Sequence, residues 1–416
     1  MRCLAAQGGS RTDAVRVKLA YAMNNLADER NQHDSGLDLA GNRPRAAARL
    51  IAVWVAHKAS VLDPGYFALV MATGIVSNAL YLHGARLLAD ALLAINLVAY
   101  PWLWMLTVLR TVRFSGAIWA DLLNPRRVFL FFTAVAATDV LGMSLGIRGF
   151  ATVALGMWLF AFALWIVLIY LGFSVLLFRN DAGGADVAEG AWLNAIVGTQ
   201  SLVIIGDAVG VPAAAFGPQV FVLMQMLWTI GLILYGILVV LLCYRFFFDA
   251  LRPDEVAPPL WIVMGAAAIS VNAGTILIAN GGATPFLRSL QPFVDGVTLA
   301  AWAWATWWIP LLVLLGVWKH GIHRRPIDYA PALWSIVFPL GMYSAATFRL
   351  SGIAATPVLG TVSSLMMWVA LLAWCATAAS FGAASFRSAQ SFIALAQTLR
   401  RLPDHQTLKC WWSFWI

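Results

Sequence analysis

Asp63-Pro64-Gly65-Tyr66-Phe67-Ala68-Leu69-Val70-Met71-Ala72-Thr73-Gly74-Ile75-Val76-Ser77 opens the first long apolar segment of the chain. Asp63 suits a helix start, because its carboxylate accepts from the free N–H groups of a first turn. Pro64 fits beside it, where no intrahelical N–H is needed. The residues that follow mix small and hydroxylated side chains (Gly65, Ala68, Ala72, Thr73, Gly74, Ser77) with large apolar ones. A helix that only sits in lipid gains nothing from such a face. A helix packed closely in a bundle, or lining a water-filled path, does.

The rest of the chain has the same character. Of its 416 residues 61% are hydrophobic and 11% charged, against about a quarter charged in soluble domains. Apolar runs long enough to cross about 30 Å of hydrocarbon recur along it, so the sequence is that of an all-α polytopic membrane protein. Ten spans are predicted, at about 64–83, 87–109, 127–146, 151–178, 190–210, 217–248, 258–280, 295–318, 330–350 and 357–382. Residues 1–60 read as a polar cytoplasmic tail with a short interfacial stretch (Leu50 to Ala56), and 61–382 as the membrane domain. Residues 383–416 read as a cytoplasmic segment, amphipathic from Phe386 to Leu402 and ending in Trp411, Trp412 and Trp415.

Lys and Arg set the topology. With the N-terminus inside, all but four of the 27 fall on the inner side, the exceptions being Arg86, Arg148, Arg288 and Arg349. That bias fits an even number of spans with both termini in the cytoplasm of a cell inner (plasma) membrane. The net charge of +8 is therefore a matter of sidedness and no sign of nucleic-acid binding. Cys3, Cys243, Cys375 and Cys410 are scattered, without the spacing of a metal site or a disulfide framework.

The spans fall into two kinds. Odd-numbered ones carry polar residues at membrane depth: Thr73, Ser77 and Asn78; Thr138 and Asp139; Gln200 and Asp207; Asn272 and Thr275; Ser344, Thr347 and Arg349. Even-numbered ones read as lipid-facing, as in Trp158 to Trp165 or Leu232 to Cys243. Polar groups are costly in hydrocarbon, so the pattern predicts five helical hairpins, the odd helices inside and the even ones outside.

Several polar residues are candidates for function. Thr73, Ser77, Asn78, Gln200, Asn272 and Thr275 are neutral donors suited to weak contact with an anion along a lumen, or to bonding between helices. Asp139 and Asp207 would repel an anion if ionised and unpaired. One reading pairs them with Arg148 or Arg349 as structural ion pairs; the sharper one has a carboxyl carry a proton alongside an anion. Arg349 draws anions to the outer mouth or extends to the headgroups. His320 and His323 sit in a basic loop with no acidic or Cys partner beyond Asp328 and read as solvated. No catalytic constellation, metal set or cofactor motif is present in the sequence.

Four places carry a resemblance to a known family: residues 63–77, Asn124-Pro125, Pro258-Pro259-Leu260-Trp261, and Trp334-Ser-Ile-Val-Phe338-Pro339-Leu-Gly341. Over about 60–382 the chain resembles the tellurite-resistance/dicarboxylate transporter family, whose members include the bacterial TehA channel, the plant slow anion channel, malate permeases and sulfite exporters. The resemblance implies five hairpins around a central pore, a homotrimer, and small inorganic or dicarboxylate anions as substrate. It also implies that Phe338 plugs the pore, with Pro339 bending the helix so that the ring turns inward. The sequence departs from the family in one respect: its third, fifth and seventh spans have glycines (Gly142, Gly198, Gly265, Gly274) where kinking prolines are common. The alternatives to transport are an intramembrane enzyme and a membrane subunit that moves nothing.

Overall fold

The computed structural model describes residues 52, 54–179, 190–210, 219–248 and 252–399. Among them every regular element is helical. Ten long helices carry the architecture: α1 (Ala68–Leu82), α2 (Arg86–Arg113), α3 (Phe132–Gly146), α4 (Ala151–Arg179), α5 (Asn194–Ile204), α6 (Gln219–Phe248), α7 (Ile262–Ala279), α8 (Pro285–Gly316), α9 (Trp334–Ala354) and α10 (Pro357–Leu399). Eight of the helical rods are long and apolar enough to cross a membrane, by length and composition. The protein is a multi-pass, all-α membrane protein.

The odd helices share a local start. Each odd helix is entered through a tight 3₁₀ turn: Pro64–Phe67, Val128–Phe131, Gly190–Leu193, Pro258–Trp261 and Pro331–Leu333. Asp63 caps the first of these, accepting from Gly65 N at 2.8 Å. Arg127, just before α3, bridges Asp63 at 3.1 Å and Asp121 at 2.7 Å, fastening the starts of α1 and α3 together.

Packing follows the same division. The odd helices close a ring, in which α1 lies against α3, α3 against α5, α5 against α7, α7 against α9 and α9 against α1. Even helices α4, α6 and α8 lie against the ring, beside α3, α5 and α7. The apolar window of Pro258–Ala283 is 89% buried, whereas that of the next rod, Pro285–Ile322, is 17% buried. A helix with no wet or lipid face has to satisfy its polar side chains against its neighbours.

Three boundaries differ from expectation. The eighth helix starts at Pro285 rather than near 295, because Thr284 Oγ1 accepts from Leu287 N at 3.1 Å and Pro285 takes the first helical position. The fifth rod is interrupted: α5 ends at Ile204, and a separate short helix, Gly206–Gly210, follows. The tenth helix runs on through Leu399 instead of stopping near 382.

Residues 63–104 and 119–386 form one compact unit, which holds the ring. The second unit comprises residues 1–62, 105–118 and 387–416. In its described part residues 54–60 are helical, with Lys58 Nζ donating to Ser388 Oγ at 2.9 Å and lying over the Trp54 ring. Most of the polar tail, most of the Leu50–Ala56 stretch and the Trp-rich end lie outside the described residues.

Candidate functional site

The ring interior is approached by asking which way each odd helix turns its side chains. In an α-helix successive residues are about 100° apart, so a few known contacts fix the whole wheel. On α9, a Cβ at Gly341 would meet Ile75 and Val76 of α1 at 3.0 and 3.1 Å. On the other side, Pro339 lies against Gly265 of α7, where a Cβ would meet Pro339 Cγ at 2.7 Å. Tyr343 and Thr347 bond outward to Thr306 and Trp302 of α8, and Ser344 bonds to Ser363 of α10. The remaining direction, between α1 and α7, falls to Phe338, Met342 and Ala345, all fully buried on the side of α9 turned to the ring interior.

The relation repeats around the ring. Gly341 of α9 faces α1, Gly74 of α1 faces Val140 of α3 at 2.7 Å, and Asp139 of α3 faces Ser201 of α5. In each case the residue three positions earlier, about 60° round the wheel, is turned toward the axis. Those residues are Phe338, Met71 and Ala136, all buried. Arg349, eleven residues and about three turns beyond Phe338, shares its face of α9 and is half-buried.

The neutral polar candidates have identifiable partners. Thr73 Oγ1 accepts from Trp374 Nε1 of α10 at 2.9 Å. Ser77 Oγ donates to Ala89 O near the start of α2 at 2.6 Å. Gln200 Nε2 donates to Trp228 O of α6 at 3.1 Å, and its amide presses on Gly231. These three bonds run to even helices. Asn78 and Asn272 bond within the ring, to Val140 O of α3 and to the Met342 sulfur of α9, both at 3.5 Å. Thr275 Oγ1 donates back to Asn272 O at 2.7 Å. All six are buried.

The charged candidates are arranged otherwise than a reading of charge alone suggests. Arg148 pairs with Asp90 of α2 at 2.9 Å, donates to Ser144 O, and stacks its guanidinium 4.5 Å above the Tyr81 ring. Asp139 takes its hydrogen-bond contact from Ser201 Oγ at 2.7 Å instead, with its other oxygen unpartnered. The side chain of Asp207 lies outside the described residues. Between α8 and α9, His320 Nδ1 bonds to Arg325 O and the His323 ring packs edge-on against Trp318. Among the described residues no three His, Cys, Asp or Glu side chains gather as a metal site would require.

Sequence reading passed over buried Asn96 and half-buried His83. Asn96, on α2, donates to Val70 O at 2.9 Å. His83, just past α1, bonds to Ala79 O and to Ser363 Oγ of α10, and Ser363 also reaches Ser344 O. A polar residue inside an otherwise apolar even span was the available signal for Asn96.

A family profile described as voltage-dependent anion channel matches residues 62–381. The chain belongs to that family. Relatives of this voltage-dependent anion channel family member include an uncharacterized membrane protein of Mycobacterium tuberculosis, 41% identical over 127 residues, which are 30% of this chain and 64% of the relative. The chain thus spans about two thirds of that relative's length. Two proteins of Methanocaldococcus jannaschii, both described as uncharacterized transporters, are 24% and 25% identical over 76% of this chain and 92% and 90% of their own lengths. The match covers the ring and its surrounding helices. It supports anion transport as the general activity of the fold.

Proposed function

We propose that this protein passes small anions across the cell inner (plasma) membrane along the axis of the odd-helix ring, with Phe338 as the constriction and Pro339 as its support. The observation that carries the reading is the position of Phe338. It is a buried aromatic on the side of α9 between α1 and α7, which supports an axial position, while other directions are taken by α8 and α10. A ring of this kind selects by diameter and weak contact rather than by tight binding, which suits conduction. The substrate class is a small inorganic or dicarboxylate anion: chloride, nitrate, sulfite, tellurite or a C4-dicarboxylate such as malate. Arg349, on the same face of α9 toward the outer end, is suited to draw anions to the mouth. Both termini are assigned to the cytoplasm by the Lys and Arg bias, and assembly as a homotrimer follows the family resemblance. A carrier form of the reading, in which a proton travels with the anion, rests on Asp139.

The test is anion flux into proteoliposomes, with wild type and Phe338→Ala measured against a panel of these anions. Phe338→Ala should conduct at least tenfold more than wild type. Absence of flux in both would favour an enzyme or a membrane subunit that moves nothing.

A further inference from the structure

Asp139 occupies the place in α3 that Gly341 has in α9 and Gly74 in α1, the point of close approach to the next helix of the ring. Two seams have a glycine there, and this one has a carboxyl. The side chain is fully buried. Its partner, Ser201, makes two contacts: 2.7 Å to Asp139 Oδ2 and 2.9 Å to Gly198 O, its own backbone one turn back. A serine hydroxyl has one hydrogen to give and lone pairs to receive with. A carbonyl only accepts. If Ser201 gives its hydrogen to Gly198 O, the hydrogen in the shorter contact has to come from Asp139.

Among the described residues no Lys, Arg or His side chain is paired with Asp139. Asp139 Oδ1 has no hydrogen-bond partner. Within their helical spans α1 and α5 carry no Lys, Arg or His; His83, just past α1, is bonded to Ala79 O and Ser363 Oγ, and Arg179 of α4 stands at that helix's far end. Tyr100 of α2 is held by Thr138 Oγ1 at 2.9 Å. Arg148 lies nine residues beyond Asp139, at the outer end, engaged with Asp90. An ionised carboxylate would stand here without compensation.

We propose that Asp139 is a proton-binding site, neutral in the closed ring, and that the Asp139–Ser201 pair is the switch through which proton release is linked to anion passage. The inference rests on the ring being the anion path. In the protonated state Asp139 Oδ2–H donates to Ser201 Oγ, and Ser201 Oγ–H donates to Gly198 O. On release the Oδ2–H bond breaks and the proton passes to water in the ring interior. The carboxylate keeps the electron pair and takes the Ser201 hydrogen, which leaves Gly198 O. Ser201 is turned from Gly198, which faces α3, away from the side on which Thr199 bonds Trp165 of α4. It therefore stands at the axis edge of the α3–α5 seam. Turning one hydroxyl thus converts a change of charge at Asp139 into a change at the wall of the path.

Two measurements test this. Infrared difference spectroscopy of the full chain in lipid should show a protonated-carboxyl stretch at neutral pH that Asp139→Asn removes and Ser201→Ala shifts. A wild-type spectrum without that band would overturn the assignment. In proteoliposomes given chloride, malate or sulfite, an inward proton gradient should stimulate wild-type uptake. In Asp139→Asn the ratio of uptake with the gradient to uptake without it should fall to one. Uptake indifferent to the gradient in wild type would sink the coupling, and a gradient response kept in Asp139→Asn would do the same. Absence of any flux overturns the transport reading itself and is told apart by the infrared band, which does not depend on it.

Discussion

Pro339 of α9 rests on the bare backbone of Gly265 of α7, so closely that a Cβ added to Gly265 would stand 2.7 Å from Pro339 Cγ. The contact joins the helix that carries Phe338 to its neighbour in the ring, one residue from the aromatic itself. Backbone carbonyls freed by a proline inside a helix need such close support.

Gly265→Ala should therefore move α9. The added methyl meets a ring of fixed shape with no flexible end to swing aside, and overpacking of this kind costs about 1–3 kcal/mol. Thermal unfolding in detergent should fall accordingly. The same variant should alter anion flux, because Phe338 rides on the displaced segment. Unchanged stability and flux together would mean that the seam has slack.

Gln200 and Gly231 provide a test of what a polar side chain inside the bundle is for. The amide of Gln200 occupies the space over Gly231 while bonding Trp228 O. Gly231→Ala should expel it and lower stability by about 1–3 kcal/mol. Gln200→Leu should be destabilising too, yet leave anion selectivity as it was. A change of selectivity in Gln200→Leu would place its amide in the path.

Thr73 and Trp374 form a bond between α1 and α10, and a double-mutant cycle measures it. Interhelical hydrogen bonds in membranes average about 0.6 kcal/mol. Thr73→Val and Trp374→Phe should each lower stability modestly, and the pair together by less than the sum of the two. Full additivity would show that the 2.9 Å contact contributes nothing.

Glu255, in the loop before α7, is held below the usual carboxylate range, first by the backbone N–H of Arg252 and then by the guanidinium groups of Arg252 and Arg245. Its ordinary value is about 4.3. A depressed folded-state value means that its stabilisation is complete above the ordinary value and is lost as pH falls through the depressed one. Unfolding measured down an acid series should thus show a loss of stability below about pH 4.3 that Glu255→Gln lacks. An identical acid profile in the variant would exclude the loop from the pH response.

The architecture was legible because its signal is local. Apolar runs mark the rods, and the alternation of polar and lipid-facing spans anticipated which helices are buried. Direction was not legible. Thr73 and Met71 lie two positions apart on one helix, yet one hydroxyl bonds α10 while the other residue turns toward the axis. That choice depends on partners hundreds of residues away, and a single sequence does not display them. Arg148 illustrates the same limit: charge alone suggested Asp139 or Asp207, whereas the fold brings Asp90 to it. The start of α8 was lost for a different reason. Arg288, Pro292 and Asp295 interrupt the apolar pattern over its first turns, although Thr284 and Pro285 form a cap that the local sequence does carry.

Ring closure has a consequence for how the protein is made. α1 leaves the ribosome first, but its neighbour α9 and the Trp374 that bonds Thr73 follow far later, the latter 301 residues on. Throughout that interval α1 has one flank open, with Thr73 unmet and with Ile75 and Val76 still lacking Gly341 of α9 against them. Until the last hairpin arrives it must be sheltered by the insertion machinery or by its own partner α3. Truncating the chain before α9 should therefore leave a product that inserts but is rapidly degraded, so the final pair of helices acts as the quality-control checkpoint of biogenesis.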